Sequence, residues 1–532
     1  MTKRKGDVLE KALKKYTVRW SELCFYLFFC TLLFAKGIGL YDGQTSFKVF
    51  LLISLCGWAG KMLLERYCAW EILMYGALLV LGGAIYLISH EKGALIVILL
   101  ICGAKNIDIR RIFKAGAVTW VISFGALFLL TSLHIVDSAF KVHDRLGMGR
   151  VIRWSLGYAH PNVLHISYFV LVCLLIYVFQ ERIRFPHLML LGLGNLYVFM
   201  FSLSTTGFLV TTICLLLVFY WNIRKRFCRA EQILIQFCLP GCLFMSFGAP
   251  LLLKGNVFNI VNRILNTRLE LAKWFLQNQP VKLLGVDTTS IVTSLRTMDN
   301  SYVFALITYG AIFFIFVTVC YFKVIYQKTL QQDGMALCII LSCLIAGITE
   351  PFLFNTSFKN ISLLFIGTEF FVMDKIPEKN IIDLKLDRNV EIKLPDIAEI
   401  WVRLRRCRRR YTTGLVIISI TGAVLAGIFV FQRESAPGRY LLPRKAFEYT
   451  DDLEESYFLK SEDDIQQAGD RIMGFESEQT EMVAFKGNIA QLERFRNVVA
   501  RGSVAGVLIF ITGNFVLLCR SEIKDRKSFN ER

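Results

Sequence analysis

Apolar runs of roughly bilayer-crossing length recur almost without a break from Trp20 to Met373. They fall at about 20–39, 46–64, 71–89, 93–104, 114–135, 162–180, 187–203, 206–222, 231–252, 301–325, 335–353 and 361–374, and two more follow at 412–431 and 502–519. A crossing helix needs roughly 20 apolar residues, fewer where protein surrounds it. The run at 93–104 is short by that measure. Lipid offers backbone amides no hydrogen bonds, so a spanning segment is a helix or part of a closed barrel. These runs are too long and too unbroken for the alternating strands of a barrel. The expected class is an all-α polytopic membrane protein, with a core of about twelve spans and a two-span module behind it.

The net charge of +19 could indicate a nucleic-acid partner. Its distribution argues against one. With the N-terminus inside, every strongly basic short loop falls on one side: ERY (65–67), KNIDIRRIFK (105–114), ERIR (181–184), NIRKRFCR (222–229) and RLRRCRRR (403–410). This is the positive-inside bias, which sets orientation. The basic stretch 1–19 lacks a cleavage site after its apolar run and reads as a cytoplasmic tail. The core covers 20–375, with long outer loops at 136–161 and 253–300. A charged cytoplasmic linker follows at 376–411, then the two-span module 412–519 and a cytoplasmic tail 520–532. Between the last two spans lies an extracytoplasmic insert, 433–500, whose acidic middle is helix-prone. The expected orientation has both termini cytoplasmic.

The 15 cysteines form no CxxC pair and no metal-ligand spacing, and nearly all lie inside apolar runs. No outer loop carries a DxD pair that would hold a metal-bound nucleotide sugar. Neither a metal nor a cofactor is expected.

Three outer features could carry chemistry. The first is FKVHDRLGMGRVIRWSLGYAHPN, which sets Arg145, Arg150 and Arg153 ahead of His160, Pro161 and Asn162. The spacing of Arg150 and Arg153 would place both on one helix face. Pro161 suits the first turn of the next span, leaving His160 and Asn162 at its outer end. The second is the 253–300 loop. There Ile264, Leu265, Leu269, Leu271, Trp274 and Phe275 recur at helical spacing. A helix lying in the interface would set Arg263, Arg268 and Lys273 among headgroups. Asp299, Asn300, Ser301 and Tyr302 then open a span, where Asp or Asn is an N-cap signal. The third is Glu350, at the outer end of an apolar run, where an unpaired carboxylate is costly.

Each residue also has a plainer explanation. His160 and Asp299 can serve as caps, and Arg268 can snorkel. Their shared face favours a site for an anionic lipid-linked group, because arginine binds pyrophosphate bidentately and stays charged when desolvated. Fixed cations would stabilise a departing pyrophosphate, and His or Glu would accept the acceptor's proton.

RWSLGYAHPN resembles the R-x-SLGF-x-HPN stretch of Gram-positive O-antigen polymerases of the Wzy type, within the O-antigen ligase superfamily. NTRLELAKWFLQN, LLGVD and MDNSYVFALITYG resemble that family's arginine-bearing outer loop, its glycine element and its DNSY-x-x-L-x-x-YG element. ITEPFLFNTSFKN resembles its late Glu…Asn pattern, and the likeness covers roughly residues 15–375. It implies a GT-C-like glycosyltransferase that works without a metal. The donor and acceptor would be undecaprenyl-pyrophosphate-linked glycans, with membrane lipid around the enzyme and a chain-length regulator as a further partner. The resemblance carries over to Arg153, His160, Asn162, Arg268, Asp299, Asn300 and Glu350. Arg153 and Arg268 would hold pyrophosphate, with Arg150, Arg263 and Tyr302 as further substrate contacts. His160 would position the acceptor or take its proton, and Glu350 is the second choice for that proton. Relatives often carry SRTG where this chain has Ser204-Thr205-Thr206-Gly207, so that arginine contact is missing here.

A ligase that moves finished glycan to a lipid or wall acceptor would use the same site. A lipid-linked oligosaccharide flippase is the alternative of another class, but no two related halves are visible in the sequence.

Overall fold

The structure is a computed structural model. It describes residues 13–133, 135–136, 138–145, 149–289, 291–292, 297–370, 381–382, 386–395, 397–433, 439–443, 458–459, 471–472, 482–486 and 488–530. Each apolar run read from the sequence carries a helix. In order these are α1 (Trp20–Gly37), α2 (Thr45–Leu64), α3 (Ala69–Ser89), α4 (Gly93–Gly103), α5 (Ile109–Ser132), α6 (Pro161–Val178), α7 (Phe185–Ser202), α8 (Thr205–Arg224) and α9 (Arg229–Leu252). Two helices of the long loop follow, α10 (Gly255–Ile264) and α11 (Arg268–Asn278). Then come α12 (Ser301–Leu330), α13 (Gly334–Ala346), α14 (Leu363–Phe370), α15 (Ile397–Arg433) and α16 (Asn488–Asn530).

Among the described residues, eleven helices are long and apolar enough to cross a membrane, while α4 and α13 are shorter apolar helices. Their outward faces are apolar too. On α3, Leu73, Val80 and Leu87 form one stripe, each more than 60% exposed. Water would not tolerate so many such stripes side by side, and lipid does. The chain is a multi-pass α-helical membrane protein.

It divides into two compact units. The larger comprises Arg19–Leu127 and Gly157–Arg388. Here α6 is buried along most of its length, and α1 presents Phe25, Phe28 and Phe29 inward at helical spacing. In lipid, such contacts hold helices by close packing, since apolar surface is no better off against protein than against acyl chains. At one end of this unit, buried ion pairs tie α2, α3 and the end of α4. Lys61 meets Glu65 and donates to the Lys105 carbonyl at 3.0 Å, while Lys105 meets Glu71 at 2.7 Å. Asp387 accepts from the Ser21 amide and hydroxyl at 3.0 and 2.8 Å, anchoring the start of α1.

Two helices carry a π-turn, at Phe244–Gly248 in α9 and at Ala305–Tyr309 in α12. The second is braced by the strand-like stretch 282–286. Val286 donates to Ile307, Ala311 to Lys282 and Ile312 to Leu283, at 3.0–3.2 Å. This pairing brings Gly285 and Gly310 back to back, both with φ near +85°. A Cβ on either would overlap backbone of the other segment, which explains glycine at both positions.

The smaller unit comprises Met1–Val18, Phe128–Leu156 and Asn389–Arg532. The segment expected as a core outer loop at 136–161 therefore lies largely in the same unit as the C-terminal helices. It forms a hairpin of β1 (Phe140–Arg145) and β2 (Gly149–Trp154), in which Asp144 faces Arg150 and Lys141 faces Arg153. The hairpin docks on the start of α16. Trp154 donates its indole N–H to Glu493 at 2.7 Å, the buried Arg496 pairs with Glu493, and Arg496 donates to the Ile152 carbonyl at 2.7 Å. α15 and α16 run antiparallel along a seam of small residues. A Cβ on Gly502 would stand 2.8 Å from the Ala423 carbonyl, and one on Gly506 2.9 Å from the Ala423 side chain. Leu13–Arg19 pairs with Asn389–Pro395, so the N-terminal segment and the linker form a small sheet. In the insert's acidic middle, expected to be helix-prone, the described residues Phe458–Leu459 and Arg471–Ile472 are strands, and with Arg439–Pro443 and Met482–Lys486 they form one four-stranded sheet, while the insert's end from Asn488 belongs to α16. The rest of its acidic middle lies outside the described residues.

Candidate functional site

The site is built on the turn that follows α13. The helix was expected to continue to residue 353. It ends at Ala346, and Pro351 disfavours helical backbone at the preceding residue, so Glu350 is extended, with φ −138° and ψ 139°. Glu350 therefore lies beyond the helix rather than within a span.

The four consecutive carbonyls of this turn are bonded from outside it. The Ser301 amide donates to Gly347 at 2.8 Å and the Asn300 side chain to Ile348 at 3.0 Å. Arg268 Nε donates to Thr349 at 2.6 Å, and the Ser301 hydroxyl to Glu350 at 2.5 Å. The tetrad at 299–302 thus does two jobs. Asn300 Oδ1 caps α12, accepting from the Tyr302 and Val303 amides at 2.9 and 3.1 Å. Its amide group meanwhile holds the turn and donates to Ser246 at 2.9 Å, within the π-turn of α9. The buried Tyr302 donates its hydroxyl to the Leu344 carbonyl at 2.7 Å, a structural bond.

The Glu350 carboxylate is buried. Its Oε1 accepts from the Thr206 hydroxyl at 2.6 Å and from the Asn162 side chain at 3.2 Å. The Arg268 guanidinium lies 3.7 Å away and also approaches Asp299 at 3.4 Å. Four separate stretches of chain therefore meet at one carboxylate. Burial pushes the Glu350 carboxyl above its ordinary range, the Arg268 cation pulls it back, and Asp299 pushes it up again. Such a group can accept a proton near neutral pH, with a cation beside it for a developing negative charge.

Arg268 does not snorkel. Asn266 and Thr267, at φ 52° and 66°, break the expected single interfacial helix into α10 and α11. The break turns Arg268 inward, where it is buried, and its NH1 donates to the Asn266 carbonyl at 3.2 Å. Arg263 lies in the last turn of α10, is exposed, and is not part of this cluster. His160 is the N-cap of α6, with Nδ1 accepting from the Asn162 amide at 3.2 Å. Arg150 and Arg153 were expected on one helix face. They lie on β2, a strand rather than a helix, and Arg153 is buried within the smaller unit.

Two contributors were not foreseen. Thr206 was noticed only as part of a turn lacking an arginine. The position of that missing arginine, Thr205, is exposed, and its neighbour holds Glu350. A polar residue at the mouth of an apolar helix was the available signal. The other is a buried trio against Gly207, at the start of α8. His165 bonds Ser202 at 2.9 Å and Asn195 at 2.8 Å, on α7. A histidine and an asparagine inside apolar runs gave that signal.

Compared with known proteins, the chain matches no family model, no curated protein and no solved structure.

Proposed function

We propose that the chain is a membrane glycosyltransferase that joins undecaprenyl-pyrophosphate-linked oligosaccharide repeats into a surface polysaccharide. It would act on the outer face of the bacterial cytoplasmic membrane, from a GT-C-like core of about twelve spans, with both termini cytoplasmic. The observation that carries this is the meeting of Asn162, Thr206, Arg268 and Asp299 around the buried Glu350. Three of the stretches involved are those that resemble the polymerase family.

In the step itself, an acceptor sugar hydroxyl attacks the donor's anomeric carbon as its bond to pyrophosphate breaks. The hydroxyl proton passes to the Glu350 carboxylate, and the departing pyrophosphate carries its charge toward Arg268. Thr206 and Asn162 hold the carboxylate in place, while Asn300 and Ser301 fix the turn that bears it. His160, as a cap, shapes the entrance at the start of α6. Arg268 is thus the principal cation of the site, and a chain-length regulator is the expected protein partner.

The test is to replace Glu350 by Gln and Arg268 by Ala in cells and run the surface glycan on a gel. Single-repeat material in both strains is the expected result. Polymer of normal length and yield would overturn the proposal. Full-length polymer trapped on undecaprenyl pyrophosphate would overturn it in favour of a ligase.

A further inference from the structure

A second pair of cations lies beside the site and is not used by the step above. Lys36, in the last turn of α1, is 6% exposed, and Lys359, after the Glu350 turn, is 3% exposed. They are brought together by the packing of α1 on the 157–158 and 358–359 segments. Tyr158 donates its hydroxyl to the Gly37 carbonyl at 2.8 Å, and the Phe358 ring packs on Phe28 and Phe29 at 6.1 and 5.9 Å. Lys359 Nζ lies 5.1 Å from the centre of the Tyr158 ring and donates to the Val163 carbonyl at 3.1 Å. Lys36 Nζ sits 3.7 Å over the Phe47 ring.

Neither ammonium has a carboxylate within ion-pair distance among the described residues, because the nearby acids are engaged elsewhere. Asp42 is bound by Lys92 at 2.8 and 2.9 Å. Glu350 is held by Thr206 and Asn162. Burial and then the Lys36 charge push Lys359 well below the ordinary lysine value, with Glu350 acting the other way. Both amines therefore sit in a desolvated place, where carrying a positive charge is costly. Among the described residues, the Val163 carbonyl is the one oxygen that accepts from either amine. Two buried like charges are costly unless an anion neutralises them both.

We infer that Lys36 and Lys359 form a second anion site, which takes a phosphate-bearing group distinct from the one facing Arg268. This rests on the transferase reading, in which two lipid-linked substrates bring two pyrophosphates to one enzyme. Val163, which accepts from Lys359, adjoins Asn162, which donates to Glu350, so a pyrophosphate held by the lysines would place its sugar toward the carboxylate.

The experiment uses the full chain in phosphatidylcholine nanodiscs, with inorganic pyrophosphate and farnesyl pyrophosphate as probes in calorimetry. The Lys36→Met/Lys359→Met double variant should lose at least tenfold in affinity for one equivalent of probe, and Arg268→Met should keep that equivalent. Tighter binding of farnesyl than inorganic pyrophosphate would identify a lipid-linked headgroup. Equal binding would support the site with a free phosphate as its ligand. Wild-type affinity and stoichiometry in the double variant would overturn the inference. The Lys36→Arg/Lys359→Arg variant should retain binding. Without ligand, the methionine variant should melt no lower than wild type, which separates lost binding from lost folding. The two proposals fail separately. Normal polymer in Arg268→Ala cells with lysine-dependent binding sinks the polymerase alone, and polymer loss there with lysine-independent binding sinks the anion site alone.

Discussion

Thr206 donates its hydroxyl to Glu350 Oε1 at 2.6 Å across 144 residues of sequence. A hydrogen bond to a buried charged group contributes about 1.5–3 kcal/mol. Thr206→Val keeps the shape and removes the donor, so activity should fall roughly tenfold to a hundredfold with the protein still inserted. Thr206→Ser should restore most of it. Polymer yield per unit of membrane-inserted protein is the measurement, and an unchanged yield in the valine variant would remove Thr206 from the site.

Arg268 is fixed by bonds to two carbonyls and faces two carboxylates. A lysine cannot reproduce that fan of donors. Arg268→Lys should therefore behave nearly as badly as Arg268→Ala in glycan assays. The alanine variant should also lose stability, on the order of 3–5 kcal/mol if Glu350 stays charged. Thermal unfolding of the pure protein in detergent checks this. Glu350→Gln combined with Arg268→Ala should regain part of the loss.

The pH profile follows from the electrostatics around Glu350. The carboxyl is held above its ordinary value, and proton acceptance needs the ionised form. Activity should thus fall as pH drops, through a midpoint higher than the usual value of about 4.3. Arg268 lowers this midpoint and Asp299 raises it. An Arg268→Met variant with residual activity should shift it upward, and Asp299→Asn downward. In vitro transfer rates across pH would show this, and a midpoint at or below the ordinary value would remove Glu350 as the base.

Gly285 and Gly310 lock the 282–286 stretch to the π-turn of α12. Alanine at either should cost more than about 1 kcal/mol, through positive φ and backbone overlap. Lower yield of folded protein and a reduced melting temperature are expected, and substitution at the exposed Gly43, which meets nothing nearby, serves as a partial control.

In the smaller unit, Gly502→Leu should separate α15 from α16, since even a Cβ there meets the Ala423 carbonyl at 2.8 Å. Cysteines placed at 423 and 506 should cross-link in the parent protein and fail to do so in the leucine variant.

The membrane class was legible from the length and continuity of the apolar runs, because each bilayer crossing imposes its own hydropathy regardless of neighbours. The helix starting at Pro161 and the cap at Asn300 were legible for a similar reason, as caps act within one turn. Arg150 and Arg153 were not. Their spacing suits a helix, but the hairpin is set by cross-strand partners and by docking on α16, neither of which is encoded in the spacing of two arginines.

By itself the sequence determined that the chain forms many long apolar helices and which polar residues interrupt them. Only the tertiary structure decided that Asn162, Thr206, Arg268 and Glu350 meet, that Lys359 stands against Tyr158, whose hydroxyl bonds the carbonyl of Gly37 next to Lys36, and that residues 128–156 join the C-terminal helices. Apolar periodicity is a property of a dozen neighbouring residues. A buried carboxylate's partners come from whichever helix ends packing brings within about 3 Å, and in lipid that packing is settled by side-chain fit rather than by hydrophobicity.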